Sequence, residues 1–140
     1  MTKNLLSLLA PALLAGLLAA CSNAATPPTS SGLASQMVGA WTNDTPDGGV
    51  PKVGIRTSGD QIFVHGYGVC HPDFCDWGEA ATSLSEAQDG DFTVRWTFSF
   101  KTTTMTLSRT DAHHLTATIV DDYSAADGRT DRVSSAVFHN

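Results

Sequence analysis

Phe92-Thr93-Val94-Arg95-Trp96-Thr97-Phe98-Ser99-Phe100 is the stretch that decides the fold class. Phe92, Val94, Trp96, Phe98 and Phe100 fall on one face; Thr93, Arg95, Thr97 and Ser99 fall on the other. An alternation with period two marks an antiparallel strand with one face on a core and the other in water. Downstream, Thr102 to Arg109 repeats it with Met105 and Leu107 inward, and His114 to Tyr123 with Leu115, Ala117 and Ile119. Lys52 to Thr57, Gln61 to Tyr67 and Arg132 to Phe138 carry weaker versions, and Trp41 and Trp77 mark two further strand centres. Ser58-Gly59-Asp60 and Gln88-Asp89-Gly90-Asp91 have hairpin-turn composition. Ala80 to Gln88 has room for a helical turn, and no segment of the domain shows a sustained 3.6 period. The count comes to about eight strands in series. A meander of that size removes its exposed edges by closing. The expectation is therefore an all-β, antiparallel up-and-down barrel, with a two-sheet β-sandwich as the alternative.

Upstream the pattern changes. Leu5 to Ala20 runs without a charge after Lys3, but its 16 residues fall short of the roughly 20 that a spanning helix needs, and Pro11 interrupts it. It reads as a secretory signal. Leu18-Ala19-Ala20-Cys21 resembles the lipobox of bacterial lipoproteins. That resemblance implies cleavage before Cys21, a diacylglycerol on its thiol and acylation of its freed amine; two or more chains anchor stably where one binds reversibly. By the same resemblance, Ser22 after the Cys is compatible with the outer membrane, and its periplasmic face is the expected location. The polar stretch Ser22 to Gly32, with Pro27 and Pro28, reads as a tether reaching at most about 40 Å. The expected organisation is a signal peptide over 1–20, lipidated Cys21 and tether over 21–35, and a β domain over 36–140. At the domain's start, Gly39-Ala40-Trp41 resembles the Gly-x-Trp opening of lipocalin and avidin-like barrels, which implies that Arg132 in the last strand stacks on Trp41.

The 140-residue chain has a net charge of −6, with 8 Lys+Arg against 14 Asp+Glu. No basic cluster in the sequence offers to track phosphates, so nucleic acid is not an expected partner. The sequence has no Gly-x-Ser-x-Gly, His-Glu-x-x-His, phosphate loop or dinucleotide fingerprint. The acidic hairpin Asp121, Asp122, Asp127, Asp131 lacks the ligand order of an EF-hand, so a solvated turn is favoured over calcium. No cofactor and no metal are expected.

The densest segment is Cys70-His71-Pro72-Asp73-Phe74-Cys75-Asp76-Trp77-Gly78. With Cys21 lipidated, Cys70 and Cys75 remain as a pair in an oxidising compartment, where a disulfide is favoured over a zinc site or a Cys–His nucleophile. Closing that short loop contributes about 2 kcal/mol. The pattern resembles one found in uncharacterised secreted bacterial domains, and implies no mechanism. The pinned loop and its neighbours Tyr67, His71, Asp73, Phe74 and Trp77 form the candidate recognition surface. Trp77 as core and Asp76 as a turn cap is the competing reading. Three functions follow as expectations. The first is a lipid-anchored, non-enzymatic binding module for a small ligand or envelope partner. The second is an inhibitor or immunity protein acting on a cell-wall hydrolase. The third is a small hydrolase using His65, His71 and Asp73.

Overall fold

The computed structural model describes residues 30–45, 49–87 and 89–140. The segment expected to be a signal peptide, and Cys21, lie outside the described residues. Eight antiparallel strands follow in chain order: β1 (Gly39–Asn43), β2 (Lys52–Ser58), β3 (Gln61–Val69), β4 (Phe74–Ser83), β5 (Phe92–Thr97), β6 (Lys101–Arg109), β7 (His114–Tyr123) and β8 (Arg132–His139). They form one sheet in the order β4-β3-β2-β1-β8-β7-β6-β5, curled into a nearly closed up-and-down barrel. The sandwich alternative falls away, because a single continuous sheet supplies both walls.

Its two seams differ. Between β1 and β8 the ladder is two residues long, Thr42↔His139 and Asn43↔Phe138. Between β4 and β5, the two ends of the sheet order, no ladder forms among the described residues. Side chains span that gap instead. Trp96 on β5 donates its indole N–H to the Gly78 carbonyl of β4 at 3.1 Å, and the Trp77 and Trp96 rings meet edge-to-face at 5.6 Å.

Alternation sorts the strands as expected. Ile62 and Val64, Phe92, Val94 and Trp96, Met105 and Leu107, Leu115 and Ala117 turn inward with Trp41 and Phe138 to make one core. The strand predicted to run through Phe100 stops at Thr97, because the Phe98 amide turns back to the Lys101 carbonyl at 2.8 Å. Phe98 still packs on the core, whereas Phe100 is exposed at the turn. The helical turn expected within Ala80 to Gln88 is a 3-10 turn over Leu84–Glu86, capped by the Ser83 hydroxyl, which accepts from the Ser85 amide.

A short helix, α1 (Ser30–Ser35), lies within the segment read from sequence as tether. Ala34 and Met37 are fully buried, and the Met37 carbonyl accepts the Trp41 indole N–H at 2.8 Å. This end of the barrel, with the β2–β3, β4–β5 and β6–β7 connections, is plugged. The opposite end carries the β1–β2, β3–β4, β5–β6 and β7–β8 loops. There the buried Asn43 ties the β1–β2 loop down: its amide donates to the Val50 carbonyl at 2.8 Å and its Oδ1 accepts the Thr45 amide at 2.9 Å. Among the described residues no helix is long and apolar enough to cross a membrane.

Candidate functional site at the barrel mouth

Cys70 and Cys75 are joined across the β3–β4 loop, with Cα atoms 5.3 Å apart. The loop they pin projects from the open end of the barrel. His71 and Asp73 are exposed on it, with His71 Nδ1–H donating to the Cys70 carbonyl at 3.0 Å. Phe74 is 53% exposed at the start of β4. It belongs to the outer face, where the Lys52 ammonium sits 4.2 Å from the Tyr67 ring centroid and 5.2 Å from that of Phe74. Tyr67 stacks on His65 at 4.7 Å, and His65 Nε2–H donates to Asp76 at 2.6 Å. On this outer face one cation, Lys52, thus lies over two rings, and a third ring stacks on Tyr67.

Trp77 goes the other way. The β3–β4 register runs Gly66↔Gly78 and then Tyr67↔Asp76, leaving Trp77 as the extra residue of a β-bulge. Gly78 holds φ at 72°, in the left-handed region that favours glycine. Asp76 stabilises the turn by accepting the Gly78 amide at 2.7 Å. That bond, followed by the His65 hydrogen bond, holds the Asp76 carboxyl below its ordinary range. The bulge swings the indole inward over the two inward-facing glycines of β3. A Cβ on Gly68 would lie 2.5 Å from the Trp77 indole nitrogen, and one on Gly66 would lie 2.8 Å from Trp77 and 3.0 Å from Trp96. Glycine at both places is what lets the indoles lie against the strand.

Trp77 and Lys101 form the common wall of two cavities in the mouth. The larger, about 250 Å³, is bounded by Gly68, the disulfide, Phe98, Phe100 and Arg129. The smaller, about 150 Å³, is bounded by Asp121, Tyr123, Arg132 and Ser134. The Lys101 ammonium stands 5.4 Å from Trp77, 5.8 Å from Phe98 and 5.7 Å from Tyr123, inside a partial aromatic cage. It is anchored there by Asp121 at 2.8 Å, which also accepts the buried Thr103 hydroxyl at 2.6 Å. With Lys101 and Asp121 13% and 14% exposed, this pair is built into the wall rather than solvated. Arg129 lies over Phe100 and Tyr123 at 5.1 and 4.4 Å, its fork held by both oxygens of Asp127. Asp127 is kept below the ordinary carboxylate range by that guanidinium.

The mouth therefore has two unlike walls. The β3–β5 side is glycine and aromatic, and the β6–β8 side is charged. Of the five residues singled out for recognition, only Trp77 lines this cavity. Tyr67 and Phe74 stand on the outer face, and His71 and Asp73 on the loop. Asp76 does cap the turn, and Trp77 packs against the core, so that reading and the recognition reading meet in one residue. Lys101, Phe98, Phe100, Tyr123, Arg129 and Arg132 were not picked out from sequence as site residues. In the sequence, Lys101, Tyr123 and Arg132 are inward positions of strand ends while Phe98, Phe100 and Arg129 lie in the β5–β6 and β7–β8 connections, and the two sets acquire meaning once the strands are known to converge. The resemblance-based pairing of Arg132 with Trp41 is not found. Arg132 sits at the mouth end of β8, six residues from the Phe138 that meets β1. In the acidic hairpin three of the four carboxylates are separately engaged: Asp121 by Lys101 and Thr103, Asp127 by Arg129, Asp131 by the Tyr123 amide at 2.9 Å. No family model, no curated protein and no solved structure matches the chain.

Proposed function

We propose that the protein is a lipid-anchored binding module of the cell envelope, held to the outer membrane through acylated Cys21, whose barrel mouth holds a small ligand without turning it over. The observation that carries this reading is the shared wall of Trp77 and Lys101 between two cavities, with aromatic rings on one side and fixed charges on the other. The larger cavity is mainly apolar and the smaller mainly polar, and apolar walls joined to a few placed polar groups are the usual form of small-ligand pockets. Rigidity supports it further: the disulfide, the Trp77 bulge and the Lys101–Asp121–Thr103 network fix the wall before any ligand arrives, which lowers the ordering cost of binding. Binding is favoured over catalysis by the composition of the wall. Its two cysteines are oxidised, and none of the five histidines lines either cavity.

The test is native mass spectrometry of the full-length chain extracted from membranes in mild detergent, beside its Trp77→Ala and Cys21→Ser variants. The reading expects an acyl mass lost in Cys21→Ser and a non-covalent small-molecule mass lost in Trp77→Ala. A chain that carries neither acyl group nor small molecule overturns it. A second reading, an inhibitor of a cell-wall hydrolase, is supported by Phe74 and Val69, which stand 53% and 49% exposed at the same rim. Its mark is inhibition of a basic lysozyme that is lost in Phe74→Ala and kept in Trp77→Ala.

A further inference from the structure

Within an acidic chain the cavity walls carry the opposite sign. Lys101, Arg129 and Arg132 line the two cavities, against Asp121 alone among the acids. Two of these cations already have carboxylates: Asp121 holds Lys101, and Asp127, behind the wall, holds Arg129. Arg132 has none among the described residues. Its position follows from register. Arg132, Ser134, Ala136 and Phe138 alternate on the inner side of β8, so that Arg132 is the last inward residue before the loop, opposite Asp121 on β7. Ser134 beside it adds a hydroxyl to the same small cavity.

Resting on the reading of the mouth as a ligand site, we propose that its ligand is a planar ring-bearing carboxylic acid. The ring lies in the larger cavity between Trp77 and the stacked pair Phe98 and Phe100, whose centroids are 5.9 Å apart. The carboxylate passes Lys101 into the smaller cavity and meets the Arg132 guanidinium, with Ser134 in reach. A planar fork matches a planar carboxylate through two parallel hydrogen bonds, which a single ammonium does not offer. One surplus cation selects one negative charge, because a second would face Asp121. The edge-to-face contacts of Trp77 with Trp96 and Phe98 leave a rigid rim of ring edges, to which another ring adds in the arrangement aromatic clusters prefer.

The experiment is calorimetric titration of the full-length chain with three probes: 2-naphthoate, its neutral isostere 2-naphthamide, and acetate. Wild-type protein is expected to bind 2-naphthoate about tenfold more tightly than 2-naphthamide, a difference of the size one charge-assisted contact supplies. Arg132→Gln should erase that preference while leaving 2-naphthamide unchanged, and Arg132→Lys should keep part of it. Trp77→Ala should weaken both naphthyl probes alike. Equal binding of the acid and the amide overturns the anion assignment and leaves the mouth as a ring site. Acetate binding as tightly as 2-naphthoate overturns the ring. If neither naphthyl probe binds, the mouth reading fails and this inference with it. Thermal melts of the Arg132 variants, whose side chain is exposed, separate loss of binding from loss of fold.

Discussion

Replacing Gly68 with alanine tests the inward Trp77 in one step. Gly68 has ordinary strand backbone, so alanine meets no strain in φ, and only the added methyl matters. That methyl would lie 2.5 Å from the Trp77 indole nitrogen and 2.9 and 3.1 Å from two ring carbons. These atoms belong to a rigid ring, which cannot yield by bending at its tip. The indole must pivot as a whole, away from β3 and out of the mouth wall. Overpacking of this kind costs about 1 to 3 kcal/mol. Trp77 is only half-buried and has the cavity to move into, so about 2 kcal/mol is expected, seen as a melting temperature lower by roughly 8 to 16 °C. Gly66→Ala should cost more, about 3 kcal/mol, because its methyl also strikes Trp96, which is 4% exposed and has nowhere to go. The decisive assay is a double-mutant cycle by urea unfolding. In a Trp77→Ala background the clash is gone, so Gly68→Ala should become neutral or slightly stabilising, a coupling of about 2 kcal/mol. Additive costs, or a Gly68→Ala protein with unchanged stability and near-ultraviolet circular dichroism, would refute the placement of the indole over the strand.

Three further outcomes are expected. Trp96→Phe removes the N–H that reaches the Gly78 carbonyl across the unladdered seam; it should cost about 1 kcal/mol and speed amide exchange in β4 and β5 but not in the β6–β7 ladder, and uniform exchange would contradict it. Serine at both Cys70 and Cys75 should lower unfolding free energy by about 2 kcal/mol in urea without reductant, and an unchanged midpoint would dismiss the bridge as a stabiliser. Asp76 has its folded pKa depressed by the Gly78 amide and His65, so its stabilisation is present above the ordinary carboxylate pKa of about 4 and is lost as pH falls through the lower folded value. The melting-temperature gap between wild type and Asp76→Asn should therefore be open at pH 7 and closed at pH 2; a gap that persists in acid would reject this.

Legibility in the sequence followed the physics of each feature. Strand class was legible because the alternation at Phe92 to Phe98 is local and period two has no competing interpretation at that length. The end of β5 was not, because Phe98 to Phe100 keeps the alternation while the Phe98 amide turns to Lys101, and a turn of this kind leaves no trace in the hydrophobic pattern. The Cys70–Cys75 pair is legible from its spacing together with the expectation of an oxidising compartment. Trp77 is legible as a strand centre, but its direction depends on a one-residue bulge that alternation rules cannot locate. The glycines at 66, 68 and 78 were the available signal. Arg132 was assigned to Trp41 by resemblance and belongs to the mouth instead, because β1 and β8 meet only at Thr42 and Asn43, far from the strand's start. The charged half of the site was the least legible. Lys101, Asp121 and Arg132 sit on three different strands, and only the antiparallel register brings their inward ends together.

The open seam and the mouth are one structural fact. No ladder joins β4 to β5 among the described residues, and β4 bulges at Trp77 beside that gap. The gap is held instead by Trp77, Trp96 and Phe98 packed edge to face, with one indole hydrogen bond to the backbone. Two of those three rings, Trp77 and Phe98, are also the aromatic wall of the larger cavity. On the proposed function, a ligand ring seated there would add dispersion contacts to the side chains that close the barrel, and occupancy and closure would share a free energy. Binding to the native state alone then stabilises by mass action, and the first protection gained lies in β4 and β5 rather than in the long β6–β7 ladder, which is stable without it. The cations stand on the other side. β6 is laddered to β7 and β7 to β8, and that register holds Lys101, Asp121 and Arg132 at fixed separations opposite the aromatic wall.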